Sequence, residues 1–188
     1  MRSYYRNNIK EFTTESFDSI WAQLTAVGRG DLLHTQKQAW LEQIDILKEQ
    51  LAYVDGDIFF EYSIPRLGKR VDVVVAQGVV FVIEFKIGAN EFATADINQV
   101  WDYALDLKYF HEQSHSLPIV PILVSTNAKD SDISIFQYDD PVVTPILEYL
   151  TLPAQKVGTE KNLTFINYGS KALRQAVQGT SSQIKLST

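Results

Sequence analysis

The chain has 188 residues, of which 45% are apolar and 21% are charged, and its formal net charge is −6. These values fit one globular domain with a substantial core, and the absence of cysteine excludes disulfides, zinc–thiolate sites and iron–sulfur clusters. The acidic balance argues against a protein that coats nucleic acid, but an acidic enzyme can act on DNA if its few cations gather near the site. No apolar segment is long enough to cross a membrane and none follows the N-terminus, so we expect a cytoplasmic protein without membrane contact.

Apolar periodicity predicts two helices in the first part of the chain. Apolar residues recur at helical spacing over 15–27 and again over 36–52. Residues 1–14 are polar and aromatic and show no dependable period. We therefore expect a helical N-terminal extension at 1–35, followed by the first helix of the domain core.

Three strands, a helix and a further strand follow. Residues typical of strands occupy 58–64, 69–76 and 79–87, an amphipathic helix is predicted over 95–113, and 117–124 is an almost wholly apolar strand. The resulting order, αβββαβ, indicates an α/β or α+β fold with a central mixed sheet flanked by helices.

The pattern weakens after residue 125. The elements predicted there are, in chain order, a strand, a helix, an edge strand and a helix, at 133–138, 142–150, 163–166 and 170–177. The terminal 179–188 is rich in Ser and Thr and is expected to fray. We predict a single domain over 1–188, with its core at about 36–124 and a C-terminal extension at 125–188.

Charged residues interrupt two of the predicted strands. Asp72 lies inside the apolar run 71–75, and Glu84 and Lys86 end the run that begins at Val79. Strand interiors exclude such charges unless they are paired or bind a metal. A Glu-x-Lys pair alone is more often a solvated face, but apolar neighbours on both sides of each charge favour burial and therefore a functional site.

The first hairpin has one natural register. If residues 65–68 form its turn, Ile64 pairs with Lys69. That register places Glu61 directly opposite Asp72 on one face of the sheet.

The second hairpin has two possible registers. A two-residue loop at 77–78 sends Glu84 to the face away from Asp72, whereas a three-residue loop or a bulge pairs the two acids. We predict the second arrangement. It aligns Glu61, Asp72 and Glu84 across three strands, with Lys86 beside them.

Three neighbouring carboxylates on a buried face cannot all stay ionised without a cation. An all-oxygen ligand set fits Mg²⁺ or Mn²⁺. Such an ion polarises a phosphoryl oxygen and lowers the pKa of a bound water, and Lys86 can orient that water or stabilise the charge that develops on phosphorus. The constellation therefore predicts phosphodiester hydrolysis.

Three short motifs resemble those of the PD-(D/E)XK nuclease superfamily, and within it the RecB-like nucleases. The segment 68–72 (GKRVD) resembles the Gly-x-x-Asp strand, 84–86 (EFK) resembles the (D/E)XK step, and 99–103 (QVWDY) is similar to the Gln-x-x-x-Tyr helix. Val71 stands where the name-giving proline would be. The resemblance covers about 36–124 and implies a restriction-endonuclease-like core.

The resemblance also implies metal ligands. Asp72 and Glu84 would bind Mg²⁺ or Mn²⁺ together with the backbone carbonyl of Phe85. Glu61 occupies the position of an accessory acid, and Glu42 on the preceding helix is a weaker candidate. The missing cysteines rule out the iron–sulfur cluster of some RecB-like nucleases.

The remaining implied roles concern catalysis and DNA. Lys86 would be the catalytic lysine, and Gln99 and Tyr103, one helical turn apart, would contact substrate or order that lysine. Beside the site lies a cluster of cations that could meet a phosphate backbone, although a solvated turn explains it nearly as well; it comprises Arg66, Lys69 and Arg70.

The sequence thus predicts a Mg²⁺-dependent nuclease that acts on DNA. The alternatives are a catalytically silent nuclease-like fold that binds nucleic acid or a protein partner, and a regulatory module for a P-loop ATPase. The regulatory module is an alternative because the chain also resembles the N-terminal module of a bacterial family. In that family, a P-loop NTPase domain of helicase type follows the module. No P-loop motif occurs in this sequence, so such an ATPase would act in cis beyond it or in trans.

Overall fold

The apolar runs of the sequence form the strands of one mixed sheet in the computed structural model. The structure describes residues 2–27, 34–64, 68–128, 134–137, 162–165 and 167–168. The elements before the sheet's central hairpins are β1 (Tyr5–Asn8), α1 (Ile9–Thr14), α2 (Phe17–Val27) and α3 (His34–Gln50). The elements that follow are β2 (Asp57–Ser63), β3 (Arg70–Ala76), β4 (Val80–Lys86), α4 (Thr94–Phe110), a 3₁₀ turn (Glu112–Ser114), β5 (Ile119–Ser125), β6 (Ser134–Gln137), β7 (Asn162–Phe165) and β8 (Asn167–Tyr168).

The strand order in the sheet is β1-β2-β3-β4-β5-β8. Neighbours from β1 to β4 are antiparallel, whereas β4, β5 and β8 run parallel. The parallel pair β4–β5 is joined through α4, as such a pair requires. The predicted α+β class with a mixed sheet flanked by helices is therefore confirmed.

Each face of the sheet is covered by its own helical layer. The first apolar cluster joins α1, α2 and α3 to one face and includes Phe12, Leu24, Trp40 and Leu47. The second joins α4 to the other face and includes Val100 and Trp101. Because both faces are covered, the central strands are apolar at almost every position, and Glu84 within β4 is buried.

The N-terminal segment is not wholly helical, contrary to the predicted helical extension. β1 pairs antiparallel with β2 at the edge of the sheet, with Tyr5 opposite Phe60. Tyr5 is the one residue of this strand that is buried. A four-residue edge strand with a single inward side chain leaves no readable alternation, which is why the sequence did not reveal it.

The other predicted elements differ from the structure mainly at their ends. The helix expected over 95–113 ends at Phe110 and gives way to the 3₁₀ turn. The strands expected over 133–138 and 163–166 exist as β6 and β7, which form a separate two-stranded sheet. The predictions for 142–150, 170–177 and 179–188 lie outside the described residues.

Both hairpins have the predicted register. In the first, the Ile64 N–H donates to the Lys69 carbonyl at 3.0 Å. In the second, Val73 lies opposite Ile83, and the same register continued by one residue sets Asp72 against Glu84. The loop therefore has three residues, 77–79, and its central glycine has a φ of +87°. The prediction of an odd-length loop is confirmed.

Within the part of the chain that the structure describes, no helix combines the length and the apolar character needed to span a membrane.

Two glycines near the loop between β3 and β4 test the backbone there: Gly78 lies in the loop, and Gly56, just before β2, lies against the end of β3. At Gly78 a side chain would meet only the strain of a positive φ, since no atom lies within 4 Å of the added Cβ. At Gly56 an added Cβ would stand 2.5 Å from the Ala76 carbonyl oxygen. We expect Gly78→Ala to cost about 1 kcal/mol of unfolding free energy and Gly56→Ala to cost clearly more, as measured by urea denaturation. Equal costs would contradict the close approach at Gly56.

Candidate active site

The alternation of faces along β2 and β3 breaks at one position. The cross-strand pair Phe60 and Val73 belongs to the cluster under α1–α3, whereas the pair Tyr62 and Val71 belongs to the cluster under α4. Residues two apart on a regular strand share a face, so the chain turns over between these pairs. Glu61 lies at the break with a φ of +52°, a conformation that is costly for a residue with a side chain.

Glu61 is held in this conformation by contacts from two sides. The Trp40 indole on α3 donates a 2.9 Å hydrogen bond to Glu61 Oε1. Arg70 on β3 stands 3.9 Å from Oε2, an ion pair at the limit of contact. Burial raises the pKa of Glu61, while the hydrogen bond and the guanidinium oppose that shift. The break thus turns this carboxylate towards α3.

Asp72 and Glu84 are neighbouring acids at the end of the β3–β4 ladder; Glu84 is buried and Asp72 is half-buried. Beyond the last paired residues, the Asp72 Oδ2 atom accepts the Phe85 backbone N–H at 2.9 Å, in place of a strand carbonyl. Burial and the nearby charge of Glu84 raise the pKa of Asp72 to about 8. The pKa of Glu84 is also raised, chiefly by burial. Two acids with raised pKa values therefore share one site.

The two oxygens of Glu84 differ. Its Oε1 atom accepts a 2.7 Å hydrogen bond from Gln99 Nε2 and lies 3.3 Å from Lys86 Nζ. Its Oε2 atom is buried and accepts no hydrogen bond from the described residues. Such an atom is costly in a folded protein and calls for a partner.

Lys86 is oriented by the helix that faces it. Its ammonium donates to Gln99 Oε1 at 2.9 Å and lies 3.3 Å from Asp96 Oδ1. Gln99 Nε2 also donates to the Tyr103 hydroxyl at 2.9 Å. Burial favours a lower pKa for Lys86, but the charges of Glu84 and Asp96 outweigh it and the pKa is raised. Lys86 therefore carries its charge throughout the neutral range.

Asp96 is a member of the site that the sequence analysis missed. It lies in the first turn of α4, three residues before Gln99 and seven before Tyr103, so all three share one face of the helix. That spacing was the available signal. The acid also complements the positive end of the helix dipole.

Several of these groups line an open cleft of about 620 Å³. The lining from β3, β4 and α4 is charged and includes Asp72, Glu84, Lys86 and Asp96. The lining from α3 carries no formal charge; its members are Gln36, Ala39, Trp40 and Gln43. Glu61 on β2 also lines the cleft.

The remaining predicted residues lie at the rim or away from the cleft. Lys69 pairs with Asp106 at 3.1 Å, and Arg70 stacks over the Tyr4 ring at 4.4 Å. Glu42 is half-buried and does not line the cleft; its neighbour Gln43 does. Arg66 falls outside the described residues.

The donor set fits a divalent cation, but it has two carboxylates where three were predicted. Among the described residues no three side chains of His, Cys, Asp or Glu form one group able to hold an ion, so Glu61 does not complete a carboxylate triad. Asp72 and Glu84 supply two hard oxygen donors, and Glu84 Oε2 lacks another partner. Mg²⁺ and Mn²⁺ take oxygen ligands and keep several waters, so two carboxylates and a backbone carbonyl suffice.

Compared with protein-family models, with curated proteins and with solved structures, the chain matches none of them.

The buried like charges give a prediction for the metal-free protein. The Asp72 pKa rises from 3.8 unfolded to about 8 folded, so its ionisation lowers stability progressively as pH increases across that range. Asp72→Asn keeps the acceptor for the Phe85 N–H and removes the charge. In EDTA at pH 8 we expect it to raise the free energy of unfolding by more than about 1 kcal/mol, the equivalent of one pKa unit.

At pH 3 the same substitution should change the free energy of unfolding little, because this pH lies below both the unfolded pKa of 3.8 and the folded pKa of about 8, so Asp72 is largely protonated in both states. Chemical denaturation at the two pH values measures the difference. A loss of stability at pH 8 would show that the Asp72 charge is compensated in the free protein.

Proposed function

We propose that the chain is a metal-dependent nuclease of the PD-(D/E)XK type, with a restriction-endonuclease-like core over about 36–124, and that it hydrolyses phosphodiester bonds of DNA. The observation that carries the proposal is the pair of acids with raised pKa values, Asp72 and Glu84, beside Lys86 at an open cleft. Buried like charges destabilise a fold, and acids with strongly raised pKa values in a cleft are typical of functional sites.

Asp72, Glu84 and the Phe85 carbonyl would hold Mg²⁺ or Mn²⁺. When bound, the ion polarises a phosphoryl oxygen and lowers the pKa of a water, which supplies the nucleophile. Glu61 also lines the cleft, where the Trp40 indole donates a hydrogen bond to it, and its carboxylate would accept hydrogen bonds from waters at the site.

Lys86 stabilises the charge that develops on the phosphoryl group. Its ammonium lies at the cleft between Glu84 and Asp96, and a fixed, partly buried cation stabilises a transition state more than a freely solvated one does. Gln99 fixes the ammonium through its carbonyl oxygen and Glu84 through its amide nitrogen. Gln99 and Asp96 are therefore positioning residues, and Tyr103 supports Gln99.

Phosphate groups outside the cleft would meet the cations at its rim. Lys69 and Arg70 are about half-exposed on the strand that carries Asp72, and both lie against aromatic rings. Phosphate contacts of this kind position a nucleic acid without selecting its sequence.

The competing function is a nuclease-like fold that only binds nucleic acid or a partner. It is favoured by the ammonium of Lys86, which is already engaged by three groups of the protein. It gives no role to the unpartnered oxygen of Glu84 or to the paired acids. Association with a P-loop ATPase stays a proposal based on resemblance.

Removal of the lysine tests the enzyme directly. We expect Lys86→Ala to lower Mg²⁺- or Mn²⁺-dependent cleavage of plasmid and of short single-stranded DNA by at least about 100-fold, since it removes a fixed cation from the transition state. The matched control is Lys10→Ala, which removes an exposed lysine whose partner is Asp55 on the surface.

Cleavage by Lys10→Ala should equal that of the wild type, and EDTA should abolish both. The proposal fails if purified wild type cuts neither substrate, or if the Lys86→Ala protein cuts as fast as the control.

A further inference from the structure

The backbone turn that begins at Lys86 forms part of the cleft lining. Residues 86–89 are closed by a 3.2 Å hydrogen bond from the Ala89 N–H to the Lys86 carbonyl. Gly88, at the third position, has a φ of +77°, and Ile87 before it has no positive φ, as in a type II turn. The three residues that follow Lys86 in this turn all line the cleft. The turn therefore joins the backbone of Lys86 directly to the lining of the site.

Packing does not confine the tip of this turn. Gly88 is exposed, and apart from its chain neighbours no atom lies within 4 Å of a Cβ added to it. An exposed segment with few packing contacts opens readily unless hydrogen bonds hold it. The conformation of the turn therefore depends on the hydrogen bonds that its backbone makes.

Thr126 makes hydrogen bonds to both halves of the turn. It is the first residue after β5, whose last residue, Ser125, pairs with Lys86. Its N–H donates to the Lys86 carbonyl at 3.3 Å, and its Oγ1 atom accepts the Gly88 N–H at 2.8 Å. Any residue except proline supplies the first bond, whereas the second requires a side chain with an acceptor oxygen. The hydroxyl is thus the part of this contact that the residue type determines.

The next residue bonds the far end of the same turn. The Asn127 N–H donates to the Ala89 carbonyl at 3.0 Å, and its side-chain amide donates to the Gly88 carbonyl at 3.4 Å. The side-chain bond of Thr126 is the shorter of the two side-chain bonds, so it is the one to test.

We propose that Thr126 is a positioning residue of the site, because its hydroxyl fixes the turn from which Lys86 is presented to the cleft. The inference rests on the proposed nuclease function. It deepens that function by extending the site to the end of β5, a strand that the structure describes in full and that contributes no residue to the cleft lining. A displacement of a reacting group by about 1 Å can cost about 100-fold in rate, so a bond outside the cleft can affect the reaction.

Two substitutions separate the acceptor oxygen from the shape of the side chain. Thr126→Val keeps the shape and removes the acceptor, whereas Thr126→Ser keeps the acceptor. On the DNA substrate that wild type cleaves, we expect Thr126→Val to lower kcat roughly tenfold and to change KM by less than about twofold. Thr126→Ser should recover most of that loss. The control Thr14→Val removes an exposed hydroxyl that bonds the Glu11 carbonyl on α1, and it should leave both constants unchanged.

Thermal stability and amide exchange distinguish positioning from a general effect on the fold. Because Gly88 is exposed, water can accept its N–H in Thr126→Val, so the thermal midpoint should fall by no more than about 3 °C. Exchange of the Gly88 amide proton, followed by NMR in EDTA, should be roughly tenfold faster in Thr126→Val than in wild type. In Thr126→Ser it should be close to the wild-type rate.

The outcomes separate this inference from the proposed function. If wild type cleaves and Thr126→Val matches it in kcat, or Thr126→Ser is as slow as Thr126→Val, the inference is overturned and the nuclease stands. Equal exchange of the Gly88 amide in wild type and Thr126→Val overturns the inference without reference to activity. A wild type that cleaves no DNA overturns the proposed function itself, and the positioning role with it.

Discussion

The site depends on two like-charged carboxylates held side by side where the β3–β4 ladder ends. Burial raises the pKa of both acids, and the charge of Glu84 raises that of Asp72 further. The fold retains the pair by supplying one backbone N–H, one amide and one ammonium. These contacts satisfy part of the charge and leave Glu84 Oε2 without a hydrogen bond from the described residues. We propose that a divalent cation meets the remaining charge at this open cleft.

Two local features of the surrounding backbone position the acids of the site. A three-residue loop sets the acids opposite each other, and the strained backbone at Glu61 turns a third acid towards α3. The lining of the cleft is charged where β3, β4 and α4 contribute to it and carries no formal charge where α3 does.

The predictable parts of the fold and site were those governed by short-range rules. Turn length fixed the register of the first hairpin, and the requirement that Asp72 meet Glu84 selected that of the second. The four-residue spacing of Gln99 and Tyr103 placed them on one helix face. The break of alternation at Glu61 was not predictable, because it arises from tertiary contacts with Trp40 and Arg70. Glu42, the weaker candidate, does not line the cleft for a related reason: one residue turns a helix by about 100°, and only packing fixes which side meets the cleft.

The central claim is that the paired acids form a metal site, and locating the ion tests it most directly. Crystals soaked in Mn²⁺ and measured at the manganese absorption edge would reveal any bound ion by its anomalous scattering. The account predicts one strong peak in the cleft, in contact with Asp72, Glu84 and the Phe85 carbonyl, and its loss in Asp72→Asn. A cleft without a peak at saturating Mn²⁺, or an ion bound only elsewhere, would contradict it.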